Sequence, residues 1–111
     1  MDIIIATLTE CIGTFVFLSI IVSTTHYDKN NFLGPFSIGI GLLGVILFGG
    51  DISGGHFNPA VTMMLLIRKK ISYRNALLYV FAQTAGGVLA ALWDMWRMNI
   101  KTRESYVEIR I

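Results

Sequence analysis

Three long apolar runs are the feature that most constrains what this chain can fold into. They cover residues 3–25, 33–50 and 72–96 and consist mainly of apolar, small or hydroxyl-bearing side chains. A helix needs roughly 20 such residues to cross the hydrocarbon core of a bilayer. The backbone must also satisfy its own hydrogen bonds there, which favours helices. We therefore predict three transmembrane helices, and an integral, multi-pass membrane protein whose surroundings are the lipid bilayer.

The charge content supports the same class. Only 14% of the 111 residues are charged, against about 25% in a soluble domain, so the chain lacks the charge to cover a water-facing surface. Most of the basic residues cluster at Arg68, Lys69, Lys70 and Arg74, and along a polar tail over residues 97–111. We interpret both clusters as solvated flanks of membrane spans, the tail being mobile or interfacial, and predict no nucleic-acid partner.

Small residues within the third run predict how that helix packs. Ala82, Gly86 and Ala90 recur every four positions, so they share one helix face that can approach another helix closely. Asp51 and Asp94 are expected in water at the ends of their spans.

Between the second and third runs, residues 51–68 break the apolar pattern. Gly54 and Gly55 are followed by Asn58-Pro59, a pair typical of a helix start, and then by "AVTMMLLI", which is too short to cross a bilayer. The segment ends in basic residues, which favour a helix C-terminus. We predict a re-entrant loop and half-helix, because irregular backbone at membrane depth must be buried in protein or line a cavity.

Three motifs together resemble the aquaporin and aquaglyceroporin family, the major intrinsic proteins. "SGGHFNPAVT" at residues 53–62 resembles the family's first signature loop, "ECIGTFVF" at 10–17 its first-span motif, and "AQTAGGVLAA" at 82–91 its third-span motif. The resemblance implies an all-α membrane fold of three transmembrane helices plus one re-entrant half-helix. Residues 1–96 would then form the N-terminal half of such a channel, followed by the tail.

The resemblance also assigns roles to the loop. Asn58 matches the asparagine whose amide donates to the permeating molecule, and Pro59 and Ala60 complete that motif; a simple helix cap is the alternative for Asn58. Gly54, Gly55 and His56 match positions whose carbonyls accept hydrogen bonds from the permeant. For the His56 side chain we favour a structural hydrogen bond over a gating or metal role.

Two polar residues of the spans match the family's loop braces. Glu10 corresponds to a buried glutamate that accepts from loop N–H groups, and a carboxyl in mid-span needs such a partner. Gln83 corresponds to a glutamine that braces the loop of the other half, although a plain interhelical hydrogen bond is an equal alternative. Ile38 falls where the family usually places an aromatic residue or histidine of its selectivity filter, so the family's selectivity rules do not transfer.

The family repeats this unit twice in inverted orientation, whereas this sequence contains a single Asn-Pro pair. The resemblance implies passive transport of water, or of glycerol or another small neutral solute, once a second half closes the pore. That half would come from another copy or another aquaporin. The alternative is a truncated, non-conducting chain that acts as an interaction or regulatory subunit of full-length relatives. No nucleophile or metal set accompanies Glu10 and His56, so we predict neither an enzyme nor a cofactor.

Overall fold

The computed structural model describes residues 2–25 and 32–101 and contains four helices in that part of the chain. α1 spans Ile3–Thr24, α2 spans Leu33–Ser53, α3 spans Pro59–Ile67 and α4 spans Tyr73–Lys101. Three of them, α1, α2 and α4, are long and apolar enough to cross a membrane. The all-α class, with three candidate spans and one short helix, is thus confirmed.

Each helix begins or ends where its local chemistry requires. The Asp2 carboxylate accepts the Ile4 N–H at 2.9 Å and caps the start of α1. Gly54 ends α2 because it adopts the left-handed conformation (φ 91°) and donates its N–H to the Gly50 carbonyl. Asn58 caps α3 and Pro59 occupies its first turn. The helix limits therefore follow from glycine, proline and capping side chains.

Helix α1 is the centre of the packing, since it contacts both α2 and α4, while α3 packs on α4. At the α1–α4 contact, a Cβ added at Gly86 would collide with the backbone of Cys11 and Phe15. Ala82 and Ala90, on the same face of α4, are also buried. The small-residue face predicted from the sequence is therefore the surface through which α4 approaches α1.

Two helices are longer than the sequence analysis predicted. α2 continues through residues 51–53, which we had assigned to the loop, because no glycine in the left-handed conformation occurs before Gly54. α4 continues to Lys101, so residues 97–101 do not belong to a polar tail. Residues 102–111 of the predicted tail lie outside the described part of the chain.

The ion pair near the end of α4 explains that extension and corrects a second expectation. Asp94 is 5% exposed rather than in water. It pairs at 2.6 Å with Arg97, whose guanidinium also donates to the Ser23 hydroxyl of α1 at 3.1 Å. Polar residues can thus continue the helix because they pair with each other and with α1. Asp51, in contrast, is exposed as expected.

Candidate functional site

The site is organised around Glu10, which is fully buried on α1. One carboxylate oxygen accepts the Ser53 hydroxyl at 2.6 Å and the His56 N–H at 3.0 Å. The other accepts the Phe57 N–H at 2.7 Å and the Gln83 side-chain amide at 2.8 Å. Burial of a carboxylate is costly unless strong hydrogen bonds compensate it, and here each oxygen receives two. These four donors come from α2, the loop and α4.

The loop reaches Glu10 by turning sharply after α2. Gly54 and Gly55 have positive φ values of 91° and 67°, which glycine adopts at no steric cost. The Ser53 hydroxyl, besides donating to Glu10, accepts the Gly55 N–H at 3.1 Å. The turn therefore directs the N–H groups of His56 and Phe57 towards the carboxylate.

Phe57 fixes the loop between two helices. It adopts φ 50°, an unfavourable value for an aromatic residue, and is only 2% exposed. A Cβ added at Gly13 of α1 would overlap its ring, and one at Gly49 of α2 would lie 2.9 Å from it. The ring thus occupies space that α1 and α2 leave by having glycine there, and its burial offsets the local backbone strain.

A second set of hydrogen bonds connects the loop to α3 and α4. The Thr62 hydroxyl lies 2.8 Å from His56 Nδ1 and accepts the Gln83 amide at 2.9 Å. The Tyr79 hydroxyl donates to the Ser53 carbonyl at 2.6 Å, and its ring makes an edge contact with His56. Gln83 therefore joins the two hydrogen-bonded sets, since its amide donates to both Glu10 and Thr62.

The Asn58 side chain uses its oxygen as a helix cap and keeps its NH₂ group available for another hydrogen bond. Its Oδ1 accepts the Ala60 N–H at 2.8 Å as the cap of α3. Its NH₂ group has no hydrogen-bond partner among the described residues, and Asn58, Pro59 and Ala60 are all exposed. The arrangement leaves two donors and the positive end of a helix facing outward.

Asn58 and Pro59 open onto a cleft of ≈ 630 Å³ whose other walls come from α1 and α4. Gln83 and Thr14 also line this cleft. In the part of the chain that the structure describes, the buried atoms Gln83 Oε1 and Thr14 Oγ1 have no hydrogen-bond partner. Because buried polar atoms are normally paired, these two atoms show that hydrogen bonding beside the cleft is incomplete within the described part of the chain.

Comparison with known proteins decides the family. The family model described as major intrinsic protein matches residues 1–108. The chain belongs to the major intrinsic protein family.

Curated relatives agree with this assignment. Aquaporin PIP2-7 of Musa acuminata is 37% identical over 95 residues, which are 76% of this chain and 34% of that protein. Aquaporin-B of Dictyostelium discoideum is 37% identical over 78% of this chain and 32% of its own length. The glycerol uptake facilitator protein-like 6 of Lactiplantibacillus plantarum is 38% identical over 76% and 39%. The chain thus spans about a third of the length of these relatives. No solved structure matched. Family membership and three long apolar helices identify an integral membrane protein.

Most of the site residues expected of a major intrinsic protein come together. Glu10, Gln83, His56 and Asn58 lie within the connected network or at its edge. Ile38 does not: it is half-buried on α2, about 22 Å along the helix axis from Ser53, and it lines neither the network nor the cleft.

Four residues that complete the site were not predicted from the sequence: Ser53, Phe57, Thr62 and Tyr79. Thr62 lies one turn into α3, where its side chain returns towards His56, and Tyr79 lies one turn before Gln83 on α4. Gly13 and Gly49 were the available signal for Phe57, because paired small residues on two helices indicate that a large side chain fits between them.

Proposed function

We propose that this chain forms one half of a membrane channel for the passive movement of water. Glycerol or another small neutral solute is the alternative permeant. The observation that carries the proposal is that Asn58, which lines the cleft, uses its oxygen to cap α3 and so keeps its amide donors available. A permeating molecule needs such a donor to replace the hydrogen bonds it gives up on leaving bulk water.

The depth of this amide supports the proposal. Gln83 lies ten residues after Tyr73, and hence about 15 Å along α4, close to half of a hydrocarbon core of about 30 Å. Asn58 lines the same cleft as Gln83. We infer that Asn58 is near the middle of the bilayer, where the positive end of α3 repels cations and protons but not neutral solutes.

The remaining roles follow from the loop's attachment. Glu10 and Gln83 act as braces that hold the loop at fixed depth, without contacting the permeant. We assign the carbonyls of Gly54, Gly55 and His56 as hydrogen-bond acceptors for the permeant, a role based on the family resemblance. We assign Ile38 to the pore wall as apolar bulk, a role based on the family resemblance.

A second half is needed to close the pore. Asn58, whose NH₂ group has no partner among the described residues, is exposed on the wall of the cleft, and polar groups left unpaired against lipid are not tolerated. A second copy or another family member would cover the cleft. The same cleft would serve a chain that joins a full-length relative and conducts nothing itself, so transport has to be measured.

Transport is tested in liposomes that contain the purified chain, by the rate at which they shrink in a hyperosmotic sucrose solution. We expect conduction to rise steeply with protein-to-lipid ratio, because two copies must meet. Asn58→Asp keeps the helix cap but removes the amide donors, so it should abolish conduction while the protein stays folded. Ile38→Ala, which removes bulk and no hydrogen bond, should not reduce it.

The outcome separates the two candidates. Shrinkage no faster than that of empty liposomes at every protein density would exclude an autonomous channel and leave the subunit function, to be examined by co-expression with a full-length aquaporin. Undiminished conduction by Asn58→Asp would contradict the role of the amide.

A further inference from the structure

A second cavity, of ≈ 350 Å³, lies beside the loop. It shares Gly54 and His56 with the proposed transport path, which uses only their backbone carbonyls, and its other lining residues take no part in that path. Its walls include Ile3 at the start of α1, Ser53 at the end of α2, and Ser72 just before α4. All three candidate spans thus begin or end at this cavity. We call it the interfacial cavity, because span ends lie at the level of the lipid headgroups.

His56 presents an unused hydrogen-bond donor to the interfacial cavity. The side chain is 8% exposed, and Nε2 has no hydrogen-bond partner among the described residues. Thr62, which is fully buried, already accepts a hydrogen bond from Gln83, so its own proton needs an acceptor. In the described part of the chain, His56 Nδ1 is the acceptor within reach, at 2.8 Å. The ring proton of neutral His56 therefore resides on Nε2, beside Gly54 and the cavity.

Further donors and one full positive charge line the same cavity. Lys70 and Asn75 are both lining residues, and neither side chain has a partner in the part of the chain described. The first turn of α4 adds its positive helix end, where the Ser72 hydroxyl caps the Asn75 N–H at 3.2 Å. No carboxylate is found among the described lining residues: Asp2 caps α1 and Asp51 is exposed on α2.

We propose that the interfacial cavity binds a phosphate group through His56 Nε2, the Asn75 amide and the Lys70 ammonium. A phosphate offers acceptor oxygens to all three and carries the charge that Lys70 and the α4 N-terminus attract. The group is either part of an anionic phospholipid headgroup or free phosphate. The apolar side chains of Ile3 and Ile71, which also line the cavity, suit the glycerol and acyl portion of a lipid.

The test uses the full chain in detergent without phosphate, titrated with inorganic phosphate. The readouts are the ¹⁵N signal of the His56 side chain and the thermal unfolding temperature. The chain has two histidines, so His26→Gln assigns the signal. Asn75→Asp places a negative charge in the cavity while favouring the α4 N-terminus, so it should fold normally and weaken binding by about tenfold or more. Lys70→Gln should weaken binding similarly, and Lys69→Gln, which removes a neighbouring charge outside the cavity, should change it less than about twofold.

Two further samples identify the source of the phosphate. In phosphate-free nanodiscs, a His56 shift in bilayers that contain phosphatidylglycerol, absent with phosphatidylcholine alone, identifies a lipid headgroup. A shift that requires added inorganic phosphate in both bilayers identifies the free ion. The proposal is overturned if no sample moves the His56 signal, or if Lys69→Gln weakens binding as much as Lys70→Gln.

Discussion

Glu10 and Asp94 are both buried carboxylates at the contact between α1 and α4, and their charges are compensated differently. Glu10 receives hydrogen bonds from four uncharged donors that come from three other segments of the chain. Asp94 pairs with Arg97 of its own helix, and Arg97 in turn reaches Ser23 of α1. Four directional donors determine the position of a loop, whereas the ion pair neutralises charge within one helix and reaches α1 through the Arg97–Ser23 hydrogen bond.

The difference matches what each end of the helix pair must do. Around Glu10, an irregular backbone has to be held at membrane depth, and its N–H groups need an acceptor. Around Asp94, regular helix only has to continue past the end of α1. We therefore expect substitutions at the first carboxylate to affect the loop and the whole fold, and substitutions at the second to affect a helix end.

The largest effect is expected for Glu10→Gln. A glutamine keeps the shape, but it offers one acceptor oxygen to four donors, so at least one donor pair is left facing an NH₂ group. Leaving buried donors unpaired should lower the free energy of unfolding by about 2–5 kcal/mol. Denaturant titration in micelles measures the loss, and faster hydrogen exchange at the His56 and Phe57 amides would locate it. Asp51→Asn, at an exposed carboxylate of α2, is the control; equal stability of the Glu10→Gln and wild-type proteins would refute the brace.

An intermediate effect is expected for Gly13→Ala, which acts on the same loop through packing alone. The added methyl group would overlap the Phe57 ring, and such overpacking typically costs about 1–3 kcal/mol. Gly44→Ala is the matched control, because a Cβ there has no atom within 4 Å and alanine favours the helix. If both variants unfold at the same denaturant concentration, Phe57 does not anchor the loop.

The smallest effect is expected for Asp94→Asn, about 1 kcal/mol, because the Arg97 side chain is 26% exposed and can turn towards water. Thermal unfolding of the single variant and of the double variant with Glu10→Gln measures it. Thirteen residues of α1 separate Glu10 from Ser23, roughly 20 Å, so the two losses should add within about 0.5 kcal/mol. Coupling beyond that would show that the two ends are not independent.

The sequence predicted the elements whose signals are local. Long apolar runs gave the three spans, and Asn58-Pro59 gave the start of α3, because length and capping chemistry act within a few residues. The predicted end of α4 at residue 96 was too early. The polar residues beyond it are typical of a solvated tail in the sequence, and only the structure shows that Arg97 contacts Asp94 and Ser23. Glu10 could be predicted to need donors, but Thr62 and Tyr79 could not be predicted, because only the packing of α3 on α4 brings them to the loop.

The source of the four donors to Glu10 has a consequence for how the chain is inserted into a membrane. Three of them, from Ser53, His56 and Phe57, lie in the chain before α4, and the ring of Phe57 lies against Gly13 of α1 and Gly49 of α2. Synthesis proceeds from the N-terminus, so Glu10 can be compensated as soon as the loop has followed α2 into the bilayer. Gln83 then arrives with α4 as the last donor and closes the far side of an assembly whose most costly charge is already stabilised.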